Sequence, residues 1–411
     1  MPLCPEEVLT RALFALITTL ICPLLLTAST QCQTYKFNSV PPPRYDFGIT
    51  PMASVSRSSG KFYGTTAYTN PESFGGAVIE FTASGGPKVL YNFGSAGGGA
   101  YPDGAIIFDR AGNLYGPVYF GGLGGAIFKI DTLGNESIFY DFQGSPDGLG
   151  PSGNLTEDNG GNLYGTTLEG GTGACFLGCG TVFRIHPDGS EVVLYSFQGG
   201  ADGQEPTGGL VRDPVGNLYG TTTTGGSEGF GTVFKVDPEG NEAVLYSFQG
   251  GADGAVPFSG LAVGSDNALY GNTSEGGGAC DCGVIFKIDT TGVETILYRF
   301  TGGADGADPE GGLVLDAAGN IYGTAVGGGE VPCSNVDYFS HGCGTVFEVS
   351  RDGIETTLHA FGLSDGAQPV AGLLRDKSGI LYGNTTQGGS GACRKGNPFL
   401  YGCGVFFEVK P

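Results

Sequence analysis

One triplet, Leu-Tyr-Gly with Phe or Ile replacing Leu in two copies, recurs seven times, its glycine at Gly64, Gly116, Gly165, Gly220, Gly271, Gly323 and Gly383. The spacings are 52, 49, 55, 51, 52 and 60 residues, a period near 53 that runs through almost the whole chain. A fixed period of this length marks a repeat architecture, in which each unit buries its apolar surface only against its neighbours.

Each copy contains four short apolar segments. In the copy that begins after Pro206 they are GGLVRD (208 to 213), NLYGTTTT (217 to 224), GTVFKVD (231 to 237) and EAVLYSF (242 to 248). Tight turns join the first segment to the second and the third to the fourth, and Gly-rich loops make the other connections. This predicts a four-stranded antiparallel meander. Apolar residues sit next to one another in these strands, as in Leu194, Tyr195 and Phe197, so both faces are covered. Four-stranded units packed face to face around an axis satisfy that requirement. The expected fold is therefore all-β, a seven-bladed β-propeller with four antiparallel strands per blade. Blades are expected at about 49–93, 102–142, 151–197, 206–248, 257–300, 309–361 and 369–411.

Strand order follows from loop length. The longest regular connection, GGADGxxP, leads from LYSF to GGLV, which makes GGLV innermost and LYSF outermost, and glycine suits the crowding at the axis. Only six LYSF-type strands are present, and the chain ends after the seventh GTVFKV-type strand, VFFEVK. The missing outer strand is expected at residues 33–38, so that the N-terminal segment closes the last blade.

The repeat unit DGxxPxGGLVxDxxGNLYGTTxxGGxxGxGTVFKxxPxGxExxLYSFxGG resembles the GloVer tandem repeat of exported bacterial proteins, described as having a choice of anchors. The resemblance covers nearly all of residues 33 to 411. Copy one departs furthest, with KFYGTT and AVIEF, and copy two has GPVY where GTT is usual. It implies a propeller and export, with no assigned chemistry. Many relatives carry a C-terminal sorting anchor, whereas this sequence ends in its last blade.

Export is also expected from the residues themselves. Residues 12 to 28 form an uncharged apolar run after Arg11, followed by Ser29 and Thr30, as in a cleavable signal spanning 1–30, and leave 31–411 as one domain. A retained anchor is the competing reading of that run. Eight cysteines fall as close pairs in equivalent loops, Cys175 with Cys179, Cys280 with Cys282, Cys333 with Cys343 and Cys393 with Cys403. Local disulfides in an oxidising compartment are expected, each tightening its loop by roughly 2 to 3 kcal/mol. Unequal spacings and the lack of neighbouring histidines argue against a thiolate metal site. Cys32 is left unpaired, and Gln31 before it is not the small residue that lipid attachment favours.

The formal net charge is −22, with only 19 Lys and Arg, which excludes a nucleic-acid partner. The expected protein is a secreted or surface-held monomer without a cofactor, binding a glycan or another protein. Its site is expected on the face carrying the long loops, near the axis. The least repetitive loops, 324 to 343 and 384 to 403, bring Tyr338, Phe339, His341, Arg394, Lys395, Phe399 and Tyr401 as candidate ligand contacts. Asp147, Asp202, Asp253, Asp305 and Asp365, each before a glycine, are weak calcium candidates, since one carboxylate per loop falls short of six to eight oxygens and a turn role is the simpler reading. A carbohydrate-active hydrolase or lyase is the alternative; it requires two carboxyl groups to converge, because the three histidines are scattered and no nucleophile motif is present.

Overall fold

The computed structural model describes residues 35–39, 49–51, 53–70, 73–82, 85–94, 100–329, 333, 342–389 and 404–411. These form seven antiparallel sheets, one per repeat, each ordered from a first strand at the axis to a fourth at the rim. In the fourth blade the strands are Val211–Arg212, Leu218–Thr222, Thr232–Val236 and Glu242–Ser247. The ring closes as expected: Tyr35–Ser39 pairs antiparallel with Val405–Val409, from Tyr35 opposite Val409 to Ser39 opposite Val405. It is the outer strand of the seventh blade.

Both faces of the third strand are buried, and four of its five residues are inaccessible in blade after blade. Seven apolar clusters result, each drawn from two adjacent blades and together covering every seam. At six seams an outer-strand Phe meets the third-strand Phe of the next blade at 5.0 to 5.1 Å: Phe93 with Phe128, Phe142 with Phe183, Phe197 with Phe234, Phe248 with Phe286, Phe300 with Phe347, and Phe361 with Phe407. Such pairs add about 0.5 to 1.5 kcal/mol each beyond area burial. The last seam is built differently, from Phe62, Phe81, Tyr382 and Phe406, with Arg57 of blade one bonded to Asp376 of blade seven at 3.1 Å.

A polar clasp repeats near the axis. The residue after the Leu-Tyr-Gly glycine bonds to a main-chain carbonyl in the first segment of the next blade. Thr221 donates to Ser259 O at 2.9 Å, Asn272 to Gly311 O at 2.8 Å, Thr324 to Ala371 O at 3.0 Å, and Asn384 to Ala53 O at 2.8 Å across the closing seam. Pro117 of the GPVY variant has no donor, and there Ala105 N instead donates to Asn154 Oδ1 at 2.8 Å.

Most first strands are shorter than the sequence suggests, Gly148–Glu157 of the third blade being the exception. In the fourth blade only Val211–Arg212 pairs in register, because Gly208 and Gly209 pass within contact of neighbouring blades at the axis instead of lying in their own sheet.

Candidate functional site

At the axis lies a cavity of about 470 Å³, lined by residues of all seven blades. Most of the lining is small, and the close approach of backbones is the reason. A Cβ on Gly208 would stand 2.6 Å from Gly260 N, and one on Gly209 would stand 2.8 Å from Asn154 N. Larger residues at these positions would push the inner strands apart.

Two positions in each long connection, on either side of its proline, break this uniformity. The residue after the proline is Asp103, Ser152, Thr207, Phe258, Glu310 or Val370, and all six line the cavity. The residue before it adopts the left-handed conformation: Tyr101 (φ 64°), Gly150 (65°), Glu205 (59°), Val256 (55°), Asp308 (54°) and Gln368 (57°). That conformation costs on the order of 1 to 3 kcal/mol for a non-glycine residue, most for a β-branched one such as Val256. At Glu205, Val256, Asp308 and Gln368 it persists because the residue is pinned from both sides. Glu205 N donates to Cys179 O and Glu205 O accepts from Thr223 N; Asp308 is held in the same way by Cys282 O and Val326 N, and Gln368 by Cys343 O and Thr386 N, all at 2.9 to 3.2 Å. In the three described pairs the second cysteine, Cys179, Cys282 or Cys343, thus supplies the carbonyl that anchors the connection of the following blade.

The electrostatics of the mouth are one-sided. Burial pushes the Asp103 carboxyl up to about 6, partly offset by the hydroxyl of Ser152, which donates to it at 3.1 Å. Burial, followed by the nearby Asp308, pushes Glu310 up to about 7, and Glu310 accepts no hydrogen bond from a described residue. Glu169 is raised by burial and by Glu205, and Tyr119 is raised by burial and by Glu169 and Asp103. Among the described residues no Lys, Arg or His lines the cavity. Carboxyl groups poised near neutrality in a concave site are what acid-base work or cation recognition would use.

The turn aspartates are engaged locally. Asp202 Oδ2 accepts from Tyr195 Oη and from Gln198 N, both at 2.8 Å, and Asp147, Asp253 and Asp305 repeat this with Tyr140, Tyr246 and Tyr298. Asp365 accepts from Gly362 N at 2.7 Å and faces His359 at 3.3 Å. Among the described residues no group of three or more His, Cys, Asp and Glu is arranged to hold a metal. Cys175–Cys179, Cys280–Cys282 and Cys333–Cys343 are bonded. Residues 1–30, Cys32, Cys393, Cys403 and the candidate contacts Tyr338, Phe339, His341, Arg394, Lys395, Phe399 and Tyr401 lie outside the described residues.

Sequence reasoning placed the site on the long-loop face near the axis but did not single out Asp103, Phe258 or Glu310. The signal that marks them is a column next to the proline that varies from copy to copy while the glycines that follow change little.

Solved structures share the fold at low identity. Puromycin hydrolase aligns with a TM-score of 0.52 at 12% identity, over 84% of this chain and 53% of that one. The extracellular domain of a protein assigned as a one-component system of B. thetaiotaomicron aligns at 0.54 and 9%, over 90% and 39%. A gluconolactonase from Xanthomonas campestris aligns at 0.44 and 12%, over 92% and 99%. No curated protein matches the sequence. A sequence model of the Gloeobacter/Verrucomicrobia repeat matches residues 29–177 and 174–397. Seven copies of one four-stranded unit, closed by a strand from near the N-terminus, make this chain a member of the Gloeobacter/Verrucomicrobia repeat family.

Proposed function

We propose that the protein is an exported binding module whose ligand seats in the axial cavity on the long-loop face. The observation that carries this reading is the placement of variation: in a chain of near-identical repeats, the residues after the prolines differ from blade to blade and all line one cavity. Three bonded cysteine pairs support an oxidising location, as does the apolar run at residues 12 to 28. Among the described residues no helix is long and apolar enough to cross a membrane. Glycan-array and pull-down assays on the exported chain, repeated with Phe258→Ala, test the reading. Binding that the substitution abolishes supports it, and binding indifferent to Phe258 places the site elsewhere.

A second reading, a carbohydrate-active hydrolase or lyase, draws on Asp103 and Glu310, two carboxyl groups in one cavity with proton affinities near neutrality. Polysaccharide turnover that Glu310→Gln abolishes while leaving affinity intact would favour it.

A further inference from the structure

We infer that the mouth of the axial cavity continues outward between blades two and three as a subsite for a neutral oligosaccharide, one sugar ring stacked on Phe120 and the chain passing Tyr119 toward Asp103. This rests on the axial cavity being a binding site and adds the class of ligand and its path of entry.

Copy two departs from the repeat at this place. Three and four residues past the triplet glycine, where copies three to seven have no aromatic residue, it carries Tyr119 and Phe120, and before the connecting proline it carries Tyr101. The loop that follows is also shortened. Five residues, 121 to 125, join the second strand Leu114–Phe120 to the third, Ala126–Ile130, whereas ten join the corresponding strands of blade three, Leu163–Gly170 and Thr181–Ile185. The three rings touch. The Phe120 ring lies 4.7 Å from that of Tyr119 and 6.2 Å from that of Tyr101, edge to face in both cases, so it is braced on two sides while 54% of the residue stays open to solvent. Tyr119 is set by the next blade. A Cβ on Gly150 would stand 2.9 Å from its ring, and this position is Glu, Val, Asp or Gln in copies four to seven, so the glycine of blade three makes room for the tyrosine of blade two.

Polar groups lead from the rings into the cavity. The charges that act on the Tyr119 hydroxyl are Glu169 of blade three and Asp103, so it lies in the field of both, and Asp103 lines the cavity with Ser152 bonded to it at 3.1 Å. The hydroxyls of Tyr119, Ser152 and Thr207 and the Asp103 carboxyl, which changes protonation near pH 6, can each donate and accept, as every sugar hydroxyl does. The C–H face of a pyranose ring is apolar and packs on an aromatic face. A rigid exposed ring followed by such groups offers a sugar chain both halves of what it needs, at low cost in side-chain entropy. Glu205 acts on Glu169 in turn, and this run of acids repels acidic polysaccharides.

Isothermal titration of the exported chain with cellohexaose, laminarihexaose, chitohexaose, hexagalacturonate and hexalysine tests the assignment. The expected result is saturable binding of at least one neutral hexaose, weaker for the matching disaccharide. Phe120→Ala should weaken it about tenfold, as for loss of an aromatic anchor, and Phe120→Tyr should retain it. Tyr119→Phe should weaken it severalfold, as for loss of one hydrogen bond. Phe120 is exposed, so its truncation leaves the core intact, and a melting curve equal to the parent's shows that the loss is one of contact. Neutral-sugar binding that Phe258→Ala abolishes and Phe120→Ala leaves unchanged overturns the subsite while the axial cavity stands. Binding that depends on Phe120 and is indifferent to Phe258 overturns the axial cavity as the binding site while the stacking ring stands. Preferred binding of hexagalacturonate or hexalysine, or binding of none of the neutral hexaoses, overturns the neutral-sugar assignment.

Discussion

The glycine of the recurring triplet is held by a ring, not by a turn. At Gly323 an added Cβ would stand 2.5 Å from Phe347 Cζ and 2.9 Å from Leu313 Cδ2, and the same crowding surrounds Gly165, Gly220, Gly271 and Gly383. Copy one is the exception, because Ile79 replaces the Phe and the nearest atom to a Cβ on Gly64 is 4.0 Å away. Gly323→Ala is expected to cost about 1 to 3 kcal/mol through overpacking, whereas Gly64→Ala should stay within about 0.5 kcal/mol of the parent. Urea unfolding of the two variants decides this, and equal costs would show that the ring contact is not the reason for the glycine. Residue chemistry also sets a pH optimum for stability. Glu191, Glu242, Glu294 and Glu355, at the starts of outer strands, are pushed up to about 7 by burial and, after it, by Asp147, Asp202, Asp253 and Asp305 of the preceding connections. In three of them one carboxyl oxygen is buried without a partner. A raised carboxyl stabilises fully below its unfolded value and loses that contribution as pH rises through about 7. The turn aspartates do the reverse. Asp158 is brought down to about 2 by the side chain and main chain of Asn162, against an opposing push from burial, and Asp213 and Asp316 are lowered too, so their contribution fades as acid protonates them. The melting temperature should therefore peak near pH 4 to 5 and decline toward pH 8; a steady rise across that interval contradicts the balance.

At the scale of the strand, neighbouring blades are joined by two devices, the aromatic pairs nearer the rim and the Thr or Asn clasp near the axis. Among the described residues the closing seam replaces the repeated Phe pair with the cluster of Phe62, Phe81, Tyr382 and Phe406, and its clasp is made by Asn384. Asn384→Ala leaves Ala53 O without its donor and is expected to cost about 1 to 3 kcal/mol, the penalty of an unsatisfied buried group. Differential scanning calorimetry reads this directly, and a change under about 0.5 kcal/mol would mean that water replaces the amide. The disulfide loops belong to the same scale. Removing the Cys175–Cys179 bond with paired serines should cost about 2 kcal/mol by loop entropy. It should also loosen the next connection, where Cys179 O holds Glu205.

For the whole molecule, closure depends on a strand that joins the two ends of the chain. Removing residues 31 to 40 would leave the third strand of the last blade, Val405–Val409, as an unpaired apolar edge, with loss of cooperative unfolding and a tendency to aggregate. A soluble deletion variant with an unchanged melting curve would show that the ring does not need the strand. The ring, its blade count and this closure were legible in the spacing of one triplet and in a missing outer strand, because packing between blades imposes the same apolar pattern on every copy. The pairing of Cys175, Cys280 and Cys333 with near neighbours was legible for a similar reason, since sequence-local partners need no fold to meet. The cavity was not legible in this way. Asp103, Phe258 and Glu310 are separated by 155 and 52 residues and meet only because seven first strands converge on one axis. The proton affinities of Asp103 and Glu310 depend on a burial that no local pattern encodes. Periodicity determined the architecture, because each repeat must solve the same packing problem; convergence at the axis decided the chemistry, because only there do the unlike residues of different blades share one space.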